Sequence, residues 1–462
     1  MGIKISKHTG ILLLGCSLAI APLLLNAQQT ESDDSVAAAP DGDLGDVQYI
    51  DVPMAIDPDS DFELPPARQA PDPEQDPLFQ QRLDNIRNYD LSVQQIEVRD
   101  GAWSKELTEE LNALGLLQQQ QGDHISAVET FNRAIHINRI NSGLHTLEQV
   151  PLIEHMIDSF LALGDLEQAD IYNSYLLYIS LKSYGRDDPR MIPVLERMAD
   201  WNIQLYHVRY GESLSSRLVT AQTMYNVAAR LVSLHFGSGD DRFINYLRGI
   251  ANAAFLVAGN PDLAREIDRN DFRSTEQVLR DGLADGQFKK PAAFVAAEDV
   301  LIAIAEYYAA KPGKEREQVM ALADLGDWYL IFGTRRESEA KYLEAWQLAA
   351  SLENGEELLQ QVFGQVIPIP TFIHDRPGNH LLEKNVSTVG GALSYDYVDL
   401  VLDVTENGTV RNVRPAHNDG RTSEKQLDGV SRLVRQTYFR PLVINGERVR
   451  STDHYFRYRY WY

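Results

Sequence analysis

Hydrophobic and polar positions change rhythm along the chain, and each change marks a boundary. Behind Lys4, Lys7 and His8, residues 11–25 form an almost unbroken apolar run. Residues 28–77 carry no periodicity and few large apolar residues. Between about residues 103 and 360, apolar residues recur every three or four positions, the spacing of helices that bury one face. After about 365 the period shortens to two. There Val398, Leu400, Leu402 and Val404 alternate with Asp399, Val401 and Asp403, which predicts a half-buried strand.

The helical stretch repeats itself. Leu111, Leu114, Gly115, Gly122-Asp123, Ala127, Phe131 and Ala134 fall at offsets that suit a helical hairpin. Small residues let two helices cross closely, Gly-Asp makes the turn, and large residues fill the space between hairpins. A second copy aligns Phe160, Gly164-Asp165 and Ala169, but places Asn173 and Leu176 where an aromatic and a small residue are expected. A third opens with Gly185-Arg-Asp-Asp-Pro189 and runs into Leu195, Ala199 and Trp201. A fourth carries Leu322, Leu325, Gly326, Tyr329, Gly333, Ser338, Tyr342 and Ala345. The pattern resembles tetratricopeptide (TPR) repeats over residues 108–139, 150–183, 185–205 and 319–350, within a helical domain spanning 78–360. Between 213 and 310, amphipathic helices at 218–235 and 291–310 lack the repeat spacing. The resemblance implies a mainly α solenoid whose concave face suits an extended peptide or another protein's helix.

The period-two region predicts a small α+β domain over 395–462, after a linker at 361–394. Glu406-Asn407-Gly408 reads as a hairpin turn, with the second strand at 409–413. Ser423 and Gln426 form a capping box opening a helix with Leu427, Val430, Leu433 and Val434 on one face. A third strand at 438–443, a turn at Asn445-Gly446 and a last strand at 455–461 follow. The order β-β-α-β-β predicts an antiparallel sheet covered by one helix. The strand and turn from Val398 to Val410, the helix ending Val434-Arg-Gln-Thr-Tyr-Phe439-Arg-Pro441, and Asn445-Gly446-Glu-Arg-Val449 resemble the C-terminal domain of TonB-family energy transducers. That resemblance implies a periplasmic protein-binding domain of a Gram-negative cell, whose edge strand accepts a partner segment by β-augmentation. On this reading Tyr455, Arg457, Tyr458, Arg459 and Trp461 are the partner-binding residues. The Tyr-Pro element usual before the first strand is missing, and a helical-repeat body stands where the family has a long spacer.

Charge and leader place the chain. Its formal charge is −24, which makes nucleic acid and anionic lipid electrostatically unfavourable partners. Residues 28–77 hold 14 acids against the single base Arg68, and eight of the 20 prolines, which predicts a disordered acidic tether. Within it Asp57-Pro-Asp59-Ser-Asp61 begins like a calcium loop, but Phe62 replaces the turn glycine and Arg68 the bidentate glutamate. Residues 1–27 read as a signal peptide cut after Ala27, the apolar run being shorter than the roughly 20 residues of a membrane span. Leu13-Leu14-Gly15-Cys16 also resembles a lipoprotein box, and an uncleaved anchor is the third alternative. Each places the body outside the cytoplasm.

The sequence contains no phosphate loop, nucleophile elbow or zinc-binding helix. Cys16 is the one cysteine, and the pairs His124/His136 and His374/His380 lack acidic companions at ligand spacing. No catalytic residue, metal ligand, cofactor or small-molecule substrate is therefore assigned. The expectation is an exported, non-catalytic interaction scaffold of the bacterial envelope, with protein partners that include envelope or outer-membrane proteins. Membrane contact would then require a retained leader or a lipid on Cys16. The alternative is a membrane-anchored transducer coupling an inner-membrane motor to outer-membrane transport.

Overall fold

The computed structural model describes residues 48–55, 77–211, 213–237, 239–258, 297–332, 335–371, 395–416 and 424–461. The leader with Cys16, the Asp57–Asp61 acids, His374, His380 and Ser423 lie outside the described residues.

Helices follow the predicted period. They are α1 (Phe79–Asp100), α2 (Leu107–Gln120), α3 (His124–Ser142), α4 (Val150–Ala162), α5 (Leu166–Tyr184), α6 (Met191–His207), α7 (Leu214–Phe236), α8 (Arg242–Ala258), α9 (Ala297–Ala309), α10 (Glu315–Ile331), α11 (Arg335–Ala350) and α12 (Gly355–Phe363). Among the described residues each helix packs on the next, which makes a TPR-like solenoid with one continuous apolar core. The first two hairpins turn by the same chemistry. Gly122 and Gly164 sit at φ 83° and 73°, and Asp123 and Asp165 accept from the Ser126 and Gln168 amides at 3.1 Å, capping α3 and α5.

Close helix crossings explain the repeat glycines. A methyl group on Gly115 would lie 2.5 Å from the Phe131 ring, and one on Gly326 would lie 2.6 Å from Tyr342. The second hairpin reverses the volumes: Ile157 fills space on α4 while Asn173 of α5 is buried and donates to the Ala169 carbonyl at 3.0 Å. That exchange accounts for the departure seen in the sequence. The middle helices, without repeat spacing, stack in the same way, with Gly249 of α8 against the Tyr225 ring of α7.

The strands are β1 (Gln48–Ala55), β2 (Ile367–Ile369), β3 (Tyr395–Val404), β4 (Val410–Pro415), β5 (Tyr438–Arg440), β6 (Leu442–Ile444), β7 (Glu447–Val449) and β8 (Ser451–Trp461). Helix α13 (Glu424–Val434) follows β4. The main sheet has the order β1-β8-β3-β4 and is antiparallel from β8 through β4. Val430 and Val434 of α13 share a core with Val398, Leu400, Leu402, Phe456 and Tyr458.

Three features differ from the sequence expectation. The strand expected at 438–443 is two strands, because Pro441 has no amide proton to continue the ladder. Its first half, β5, pairs with β2 from the expected linker, and its second half, β6, pairs with β7 across Asn445-Gly446. Residues 48–55, expected within the tether, form a strand parallel to β8.

Candidate functional site

The predicted partner-binding residues all lie on β8, which the structure places inside the sheet. β3 runs along one side of it and β1 along the other. Alternation then sorts the side chains. Tyr458 faces the α13 side and is fully buried beside Phe456. Arg457 points to the opposite face, where its Nε and Nη2 donate to Asp399 at 2.8 and 3.0 Å and its guanidinium stacks 4.0 Å over the Tyr397 ring. Tyr455 shares that face, and burial together with Asp399 pushes its hydroxyl up to about 12. Arg459 pairs in register with Tyr397 and Trp461 with Tyr395. Tyr458 thus lies in the core and Tyr455 and Arg457 on the outer face, and β8 is not the open edge that the sequence suggested, because β1 is paired on its far side.

The sheet is shaped by one buried carboxylate. Asp403 accepts from Asn412 Nδ2 at 2.7 Å and from the Asp453 amide at 3.3 Å. Asn412 and Asp453 have φ of 49° and 64° and mark the register shifts where β4 and β8 bulge on either side of β3. The Asn412 hydrogen bond, chief among these contacts, holds the Asp403 carboxyl below the usual carboxylate range.

A second constellation, unforeseen in the sequence, joins the β2–β5 strand pair to the last hairpin. Arg440 of β5 donates through Nε to Asp327 Oδ1 at 2.9 Å and through Nη2 to Asp327 Oδ2 and Asp324 Oδ1. Its Nη1 donates to the Val362 carbonyl at 3.3 Å. Tyr342 donates to Asp327 at 2.6 Å, and Thr371 to Asp324 at 2.5 Å. Arg440 is 4% exposed and Asp327 0%, so this is an ion cluster removed from water. Burial pushes the Asp324 carboxyl up to about 6 while Arg440 pulls it down. Around the cluster, Gly408 leaves room for Leu330, Gly446 for Leu343, and Arg448 reaches Glu339 at 2.8 Å. Asp324 and Asp327 one turn apart inside the apolar run Leu322–Leu330 were the readable signal.

Other carboxylates of the helical body are occupied between helices. Tyr225 donates to Asp200, Tyr246 to Glu196 at 3.0 Å and Tyr329 to Glu298 at 2.7 Å. Arg217 and Trp201 both donate to Asp170, and Arg197 pairs with Glu154. These carboxylates knit neighbouring helices rather than converge on a cleft. Among the described residues no group of three or more His, Cys, Asp or Glu side chains is placed to hold a metal ion. Among them no helix is long and apolar enough to cross a membrane.

Solved structures similar to this chain are TPR-like repeat proteins. One is a Podosopora anserina kinesin-light-chain candidate with nearly identical TPR-like repeats, at 12% identity and a TM-score of 0.34, covering 54% of this chain and 98% of that one. Another is BtubC (BKLC) from P. vanneervenii, at 13% identity and a TM-score of 0.32, covering 60% and 92%. No protein-family description matches the sequence, and no curated protein matches it.

Proposed function

We propose that the chain is an exported, non-catalytic scaffold of a bacterial envelope that binds protein partners through a surface shared by its TPR-like body and its C-terminal sheet. The observation that carries this reading is the buried Arg440 cluster, which fixes the β2–β5 strand pair onto the last helical hairpin, while the neighbouring Phe439 is buried in the core of the main sheet and so ties that sheet to the same platform. The hairpin β3–β4, the helix α13 and the strands after it follow the order of the TonB-type C-terminal domain, and this supports a peptide-accepting role for Tyr455, Arg457, Tyr458, Arg459 and Trp461 through the strand that carries them. The charged start and apolar run of residues 1–27 support export to the periplasm.

The resemblance of the C-terminal domain also supports a second reading, a membrane-anchored transducer pulled by a motor complex. Intact mass of the natively expressed protein, from separated soluble and membrane fractions, decides between them. A soluble species beginning at Gln28 supports the exported scaffold. A full-length membrane species overturns it in favour of the transducer, and a lipid on Cys16 makes the scaffold a tethered one.

A further inference from the structure

The main sheet has two outer strands, and they differ in what they offer. β4 carries the Asn412 bulge, Arg411, Arg414 and Pro415, devices that discourage another strand from adding. On the side of β8 away from β3, the chain's own β1 is paired. Its register sets Gln48 beside Phe456, Tyr49 beside Arg457, Ile50 beside Tyr458 and Asp51 beside Arg459. The ladder shifts before Ala55 meets Trp461, across a stretch that contains Pro53, whose nitrogen cannot donate. β1 also lies against α6, so the strand sits where sheet and helical body face each other.

The pairing is non-local. β1 precedes the first helix, β8 ends the fold, and no tight turn connects them. Such a strand behaves as a tethered ligand rather than as half of a hairpin. Its register also carries a pattern: an apolar residue beside Tyr458 and an acidic one beside Arg459.

We propose that the β8 edge is a binding site for an extended acidic protein segment running parallel to β8, and that residues 48–55 are its resident ligand, holding the site closed until a partner segment of the same pattern displaces them. This deepens the interaction reading above and rests on it. An intramolecular ligand competes at an effective concentration of the order of 1 mM. A free segment binding with a Kd of about 10 µM would therefore bind the intact chain about 100-fold more weakly than a chain whose β1 cannot pair.

The test uses a fluorescent peptide of residues 46–57 and the full chain, with and without Tyr49→Pro/Ile50→Pro. Anisotropy titration should give at least tenfold tighter binding to the double-proline chain, and Asp51→Lys in the peptide should weaken binding several-fold. Equal affinity for both chains overturns the proposal. So does absence of binding to a double-proline chain that keeps its helical circular dichroism. A double-proline chain that fails to fold leaves hydrogen exchange on the unmodified protein to decide. There the amides among 48–51 that face β8 should be slow and should speed up when excess peptide is added, while 456–459 stay slow. If every amide of 48–51 exchanges freely from the start, or if the β8-facing ones stay slow under saturating peptide, the proposal is refuted. An unprocessed leader would overturn export and leave the strand result standing.

Discussion

Arg440→Met tests how the β2–β5 strand pair is held to the helical body. The substitution keeps most of the side-chain length and removes every hydrogen bond the guanidinium makes to Asp327, Asp324 and the Val362 carbonyl. Asp327 retains only Tyr342, and Asp324 only Thr371, of the partners described above. Two acids one helical turn apart would then lie unneutralised where Asp327 is 0% and Asp324 7% exposed. Removing one partner from a buried ion cluster costs about 3–5 kcal/mol, because the remaining charge stays out of water. At about 2–4 °C per kcal/mol for a domain of 150–250 residues, and less for a larger one, the melting temperature should fall by about 5 °C or more. The same substitution made in an Asp324→Asn/Asp327→Asn chain should cost far less, since no orphan charge is left. Thermal and urea unfolding of the four chains gives a coupling energy, expected at about 2 kcal/mol or more. Additive effects, or a cost below about 1 kcal/mol for Arg440→Met alone, would refute the reasoning.

Three further outcomes follow from particular sites. His207 is buried and its imidazole is pushed down to about 4, so the unfolded chain takes up a proton below about pH 6.5 that the folded chain refuses. Stability should fall as pH drops from 6.5 toward 4, by up to about 3 kcal/mol from this group, and the slope should be smaller in His207→Gln when melts are compared across that range. Asp324 has the opposite sign: with its carboxyl raised to about 6, the folded chain holds the extra proton, so the stability of Asp324→Asn relative to the unmodified chain should rise between pH 4 and 6. A relative stability that falls over that interval would contradict the burial argument. Gly115→Ala should destabilise by about 1–3 kcal/mol in urea unfolding although alanine is the better helix former, because the new methyl meets the Phe131 ring at 2.5 Å; a gain in stability would mean that the crossing is looser.

The helical body was readable because its turns are made by local chemistry. Gly122-Asp123 and Gly164-Asp165 fix their hairpins without help from distant residues, and the apolar period shows which face of each helix is buried. The Asn445-Gly446 turn was readable for the same reason, since both residues take positive φ, 53° and 82°. What the sequence hid is set by pairing across long separations. Nothing near Arg440 indicates that its partners are Asp324 and Asp327, although two acids in an apolar helix needed a cation. Likewise Tyr49, Ile50, Val52 and Met54 are an apolar cluster within an acidic stretch, but composition averaged over residues 28–77 concealed them. The strand expected at 455–461 is present within β8, but as an inner strand and not as the open edge. The division of its side chains into buried Tyr458 and outward Arg457 followed from alternation, whereas the company of β1 on the far side did not.

Hydrogen exchange of the intact chain under native conditions addresses the platform itself. If the Arg440 cluster holds β5 to the last hairpin and Phe439 of β5 holds the core of the main sheet, the amides of α10, β5 and the centre of β8 should open together, with one shared protection free energy. Exchange of β3, β5 and β8 at a markedly lower free energy than α10 would show a sheet that opens on its own, and would contradict a single binding platform.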